Sequence, residues 1–318
     1  MNSSLAAPSA GEGTCALADY MELCAIKAGD RNTSIQDLVQ DLKRSGTSVS
    51  GEDELDDDES AGPADLMVEA HRVQAEEAFA ELDDRWIACG SDRAAYPFSL
   101  LDRALQANAV PQDSIYLFLL LLAKYGKDAG PKHSFPERTF EELCAHAAAG
   151  YFGGAALGGQ AVRFGHPRRG LPTSFHAALH EVCRRVGEGA ARDAPRPGVK
   201  DGKLDVICWR PFPDGRQGIL LGFGQCATGW NEWQAKAGEL QPQSFMDKFM
   251  AERFAVPPTR LFFVPWRVER SCWRDCSCDG GILFDRCRIA LLTKDVDASL
   301  RTECSTWSRY VLKKEIGA

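Results

Sequence analysis

Apolar and polar positions follow two different rhythms along this chain, and the change from one to the other divides it. Leu66, Val68, Ala70, Val73, Ala78, Phe79 and Leu82 supply the apolar side of a helix. That texture continues to about residue 149 and includes the unbroken apolar run 115–123, which reads as a buried core helix. Further on, a helix is predicted over 174–187, with Phe175, Leu179, Val182 and Val186 on its apolar side. Two strand-like runs follow, 204–212 and 217–227, joined by Pro213-Asp-Gly-Arg216, whose Asp-Gly pair signals a hairpin. Helical spacing returns over 231–254, interrupted near Pro242, and another strand is expected at 260–268. Helix, strand pair, helix and strand in that order predict an α/β domain behind a mainly helical N-terminal region.

Between these segments the pattern fails in informative places. The first fourteen residues are small and polar, and a short helical segment is expected over 15–42. Residues 45–65 contain Gly51-Glu-Asp-Glu-Leu-Asp-Asp-Asp-Glu59, whose like charges repel and cannot bury apolar surface, so a linker or solvated tail is expected. Gly150-Tyr-Phe-Gly-Gly-Ala-Ala-Leu-Gly-Gly159 is glycine-rich but lacks the Gly-Lys-Ser/Thr ending of a phosphate-cradling loop, and it predicts a domain junction. The expected division is a largely disordered acidic segment over 1–63, a helical domain over 64–149 and an α/β domain over 150–318. On this division, deleting residues 1–63 leaves the last domain folded.

Composition narrows the function classes. The longest apolar run has nine residues, far short of the roughly 20 that span a bilayer, so no membrane segment is expected. The start, Met1-Asn-Ser-Ser-Leu, lacks a basic segment followed by an apolar one, which predicts a cytoplasmic location. Twelve cysteines scattered through apolar segments read as reduced core residues. The net charge of −8 hides an asymmetry: residues 1–159 hold 12 Lys and Arg against 27 Asp and Glu, whereas residues 160–318 hold 25 against 18. A nucleic-acid site therefore belongs in the second half, and the acidic half suits regulation or a protein partner. Nothing in the sequence excludes an oligomer.

The candidate chemistry lies on the strand pair. Gly202-Lys-Leu-Asp-Val-Ile207 places a carboxylate at the mouth of the first strand, and Gly224-Gln-Cys-Ala227 places a side-chain carbonyl oxygen near the end of the second. Together with the preceding helix, Phe175-His-Ala-Ala-Leu-His-Glu-Val-Cys-Arg-Arg-Val-Gly187, these segments resemble the PD-(D/E)XK nuclease superfamily, and within it the Mrr-like branch, over roughly residues 170–270. The resemblance implies a restriction-endonuclease-like mixed sheet flanked by helices. It also implies a DNA endonuclease that uses Mg²⁺ or Mn²⁺, of the kind that serves prokaryotic defence. Asp205 would be the central metal-binding carboxylate, Gln225 would replace the second acid, and the main-chain carbonyl of Cys226 would assist. Ala227 stands where the family has lysine. Either the lysine has migrated to Lys236, on the helix after the second strand, or the domain is a degraded module that binds nucleic acid or scaffolds a defence complex. The helix acid is Glu181 or Glu188, seven residues apart and on roughly one helix face.

Other motifs compete. His176 and His180 have a zinc-binding i, i+4 spacing, but Ala177 occupies the general-base position of His-Glu-x-x-His and Leu179 that of the inverted pattern, which argues against a metalloprotease. Cys272, Cys276, Cys278 and Cys287 are near enough in sequence for a structural Zn²⁺ but lack paired Cys-x2-Cys knuckles, so they read as a reduced loop, with Cys287 entering a strand. Trp209, Trp230, Trp233, Trp266 and Trp273 could stack on unpaired bases, but tryptophan is more often core or rim, and they are assigned there.

Overall fold

The computed structural model describes residues 5–8, 12–46, 63–109, 111–193, 202–230 and 233–317; the acidic run 51–59 lies outside them. The segment expected as one helix is two, α1 (Thr14–Lys27) and α2 (Ile35–Gly46), separated by strand β1 (Asn32–Ser34). Local side-chain bonding explains the break. Asp30 Oδ1 accepts the Asn32 N–H at 3.2 Å, a turn that competes with helix. Asp37 Oδ2 then accepts the Ser34 N–H at 2.8 Å while Ser34 Oγ accepts the Asp37 N–H at 3.2 Å, a reciprocal cap that starts α2.

The region expected to be mainly helical over 64–149 opens with α3 (Pro63–Ala88) but then forms an antiparallel hairpin, β2 (Phe98–Leu101) and β3 (Ala104–Ala107). Its two turn residues, Asp102 and Arg103, both have positive φ, and neither glycine nor asparagine announces the turn in the sequence. β1 pairs with β3 to complete a three-stranded sheet.

The second half of the chain builds a larger sheet. In chain order come α4 (Ile115–Tyr125), α5 (Pro136–Tyr151), α6 (Gly154–Leu157), β4 (Gln160–Arg163), α7 (Phe175–Val186) and β5 (Ala190–Ala191). The hairpin strands β6 (Val206–Arg210) and β7 (Leu220–Cys226) precede α8 (Trp233–Ala237), α9 (Pro242–Phe249) and β8 (Met250–Glu252). Last are β9 (Thr259–Phe263), α10 (Arg270–Gly280), β10 (Ile282–Phe284), α11 (Arg286–Leu292) and α12 (Ala298–Val311). Five strands associate in the order β10-β9-β7-β6-β4; β10, β9 and β7 are parallel, and β6 is antiparallel to both its neighbours. β5 and β8 form a separate pair.

Both faces of the large sheet are covered, which is why β6 reads Val-Ile-Cys-Trp with no polar alternation. Val206 and Cys208 pack with α4, α5 and α12, whereas Ile207 and Trp209 pack with α7 and α9. Gly222 permits the close approach on the first face: a Cβ there would fall 2.6 Å from Cys208 Sγ and 2.8 Å from the Phe152 ring.

This packing runs across the boundary expected at residue 150. Leu143 and Cys144, before the glycine-rich junction, and Phe152, within it, share one core with Val206 and Phe263 beyond it, so α4 and α5 pack as a layer on the large sheet. The N-terminal helices are joined to it as well, since Leu17, Met21 and Leu82 pack in one cluster with Cys287 and Ala290 of α11. Helices α1 and α2 are therefore not an appendage. Among the described residues no helix is long and apolar enough to cross a membrane.

Candidate active site at the strand edge

Asp205 sits just before β6 and Gln225 near the end of β7, each one residue beyond the last registered pair, Val206 with Gly224. The main chain of Asp205 is pinned on two sides. Its carbonyl accepts the Phe164 and Gly165 N–H groups at 2.6 and 3.1 Å, and its N–H donates to Gly224 O at 2.9 Å. Its carboxylate reaches across the hairpin, where Oδ2 accepts the Cys226 N–H at 2.8 Å.

A second carboxylate meets it. A Cβ at Gly165 would lie 2.7 Å from Glu141 Oε2 and 3.4 Å from Asp205 Oδ1, so the two acids flank one point, and any side chain at 165 would occupy it. Glu141 comes from the second turn of α5 and is held by Arg163, the buried last residue of β4. The Arg163 guanidinium donates to Glu141 Oε2 at 3.1 Å, to Glu142 Oε2 at 3.1 Å and to Pro167 O at 2.8 Å. Sequence reasoning missed Glu141 because it lies upstream of the glycine-rich junction. Its visible signal was the Glu141-Glu142 pair on a helix whose other side is apolar.

On β7, Gln225 is only 5% exposed. Its Nε2 donates to Glu239 Oε2 at 3.2 Å, and its buried Oε1 has no hydrogen-bond partner among the described residues. An unsatisfied buried acceptor is costly and asks for an explanation such as an ion or water. Glu239 also pairs with Lys203 Nζ at 2.9 Å. Gly202 and Lys203 both have positive φ, and this reversal precedes Asp205. Lys203, then Gln225 and Lys236, hold the Glu239 carboxyl below its usual range despite some burial. Lys236, half-buried on α8, thus lies at the same cluster as Lys203. Asn231, the expected helix start, and Glu232 lie outside the described residues. Cys226 directs its thiol to Cys144; burial first, then that bond, pushes the Cys226 thiol well up, so the sulfur is uncharged.

The remaining candidates are placed elsewhere. Glu181 is bound by Arg184 and Arg185, each at 2.8 Å, and these bonds hold its carboxyl down to about 2. Glu188 is buried between two left-handed glycines, Gly187 and Gly189, and accepts the N–H groups of Gly218, Ile219 and Ala255 at 3.0 to 3.4 Å. It therefore clasps the start of β7 to the segment after β8. The structure brings Glu141, rather than either of these, to Asp205. His176 faces Arg192 O at 3.1 Å and His180 faces Asp193 at 3.5 Å, so each has its own partner. The cysteines expected in a loop and strand are on helices. Cys272, Cys276 and Cys278 ride on α10, while Cys287 is on α11, its carbonyl accepting from Cys89 Sγ and its side chain buried in another core. Among the described residues no three His, Cys, Asp or Glu side chains converge to hold a metal ion.

Neither a family model, a curated protein nor a solved structure matches this chain.

Proposed function

We propose that this protein is a metal-dependent nuclease with a restriction-endonuclease-like fold that hydrolyses DNA phosphodiester bonds at the Asp205 edge of its large sheet. The observation that carries the reading is the meeting of two carboxylates from distant elements, Glu141 and Asp205, at Gly165. Gln225, with an unpartnered buried oxygen, stands on the adjacent strand. These are hard oxygen donors, and Mg²⁺ commonly takes one or two carboxylates and keeps several waters, so a site without a third acid suits it. Asp205, Glu141, Gln225 Oε1 and the carbonyl of Cys226 would hold the ion. When bound, Mg²⁺ or Mn²⁺ would polarise the scissile phosphate and acidify a water. Arg163 orients Glu141, and the Cys226 N–H fixes one oxygen of Asp205.

Ala227, fully buried beside Trp233 and Ala237, excludes a cation at the family's lysine position. That observation favours the second reading, a binding module without catalysis. Against it stand Lys203 and Lys236, which flank Glu239 and supply positive charge at the same edge. The Lys203→Ala/Lys236→Ala double variant is expected to lose cleavage by on the order of a hundredfold. Lys248→Ala, which removes an ammonium lying over the Phe249 ring, should cleave as wild type. The purified protein should nick supercoiled plasmid in Mg²⁺ or Mn²⁺ and leave it intact in EDTA. DNA binding with no nicking in either metal would establish the second reading instead.

A further inference from the structure

Three of the tryptophans assigned to core or rim from sequence enclose a hollow of about 360 Å³ at the edge of the sheet. Trp230 is 61% exposed, unusual for the largest apolar side chain. Trp266 stands edge-on behind it with ring centroids 5.1 Å apart, and Trp233 meets Trp266 at 5.7 Å. β7 and β9 run parallel with Cys226 beside Phe263, so Trp230 and Trp266, four and three residues further on, emerge from the same edge as Gln225. Trp233 lies on α8 three residues before Lys236, one helical turn from the cation cluster around Glu239.

The chemistry of the walls selects an occupant. Among the described residues Glu269 is the one charged side chain lining the hollow, and its Oε1 already accepts the Cys15 N–H at 2.8 Å at the start of α1. The Cys272 thiol donates to Glu269 O. What remains is aromatic surface with the exposed amide of Gln234 at the rim, which suits a flat uncharged ring carrying hydrogen-bonding edges. From these features we infer that the hollow stacks an unpaired base of DNA, the attached phosphates running toward Lys236 and Lys203. This rests on the proposed nuclease reading for the position of the phosphates, and it names the substrate class: DNA with an unpaired or extruded base near the cut.

The test is anisotropy of a labelled oligothymidylate strand with full-length protein in EDTA, compared with an abasic strand of equal length and charge. Base stacking predicts that the abasic strand binds about tenfold more weakly. Trp230→Ala should lose the same factor for oligothymidylate, and Trp230→Phe should keep most of the affinity. Because Trp230 is exposed, neither variant endangers the fold. Equal affinity for the two strands, no binding of either, or wild-type affinity in Trp230→Ala overturns the inference. Plasmid cleavage by the same preparation is read separately. Base-selective binding without cleavage sinks hydrolysis and leaves the hollow, and cleavage without base selectivity does the reverse.

Discussion

Asp205→Asn is expected to abolish plasmid cleavage, by a factor on the order of a thousand or more, in a protein that remains folded. The substitution separates charge from shape. The Asn side-chain oxygen can still accept the Cys226 N–H that Asp205 Oδ2 accepts at 2.8 Å, and the main-chain bonds of residue 205 to Phe164, Gly165 and Gly224 are untouched. What disappears is one of the two negative charges that meet at Gly165. Mn²⁺ affinity measured by calorimetry should fall with activity, while thermal unfolding should stay close to wild type. Glu141→Gln should lower both quantities in the same sense, because its carboxylate flanks the same point. Wild-type cleavage in Asp205→Asn would remove the hydrolytic centre from this edge altogether.

The placing of Asp205 beside Gln225 was legible in the sequence because antiparallel pairing of two apolar runs joined by a turn sets their outer ends side by side. The helix over 174–187 was legible from local signals, with Ser174 accepting the Ala177 N–H and Gly187 closing it in the left-handed conformation. Glu141, Glu239 and Lys203 were not. Glu141 reaches the site only because α5 folds back over β4 and β6, and no spacing rule links positions 141 and 205. Lys203 reaches Glu239 through a positive-φ turn at a residue that is not glycine, against the preference on which turn prediction rests. The short strands β2, β3 and β4 were missed because four residues give too few alternations to display a period. The core runs across the boundary expected at 150 for the opposite reason. The glycines there do make turns, at Gly153, Gly154 and Gly158, but a turn ends an element and not necessarily a core.

The second large effect is on stability, and it arises where the acidic N-terminal half meets the rest of the chain. Glu22→Gln is expected to destabilise the protein by about 3–5 kcal/mol, the cost of taking one charge out of a buried ion-pair network. Glu22 is fully buried in α1. Its Oε2 lies 2.9 Å from Arg85 Nη1, and its Oε1 accepts the Tyr116 and Tyr96 hydroxyls at 2.7 and 2.9 Å. Asp19, one turn earlier, bridges Arg85 at 2.7 Å and Arg286 at 2.6 Å, and both arginines are completely buried. Glu81 continues the network to Arg85 and Arg267, each at 3.0 Å. Burial opposes charge on Arg85, but Glu22 and Asp19 outweigh it and hold the guanidinium protonated. With Gln at 22, an amide N–H₂ would confront Arg85 Nη1, donor against donor. Thermal unfolding should fall by on the order of 10 °C, whereas Glu181→Gln, which loses only an exposed pair with Arg184 and Arg185, should change it little. Deleting residues 1–63 removes Asp19 and Glu22 together, so the remaining chain should lose cooperative unfolding, contrary to what independent domains would show. The pH dependence has a definite sign. Burial alone would raise the Glu81 carboxyl, but Arg85 and Arg267 bring it below its ordinary 4.5. Its contribution is therefore complete at neutral pH and is lost as the pH falls below the usual carboxylate range. A Glu22→Gln protein with wild-type unfolding temperature at pH 7 would show that the tyrosine hydroxyls, and not the charge, hold α1 against Arg85.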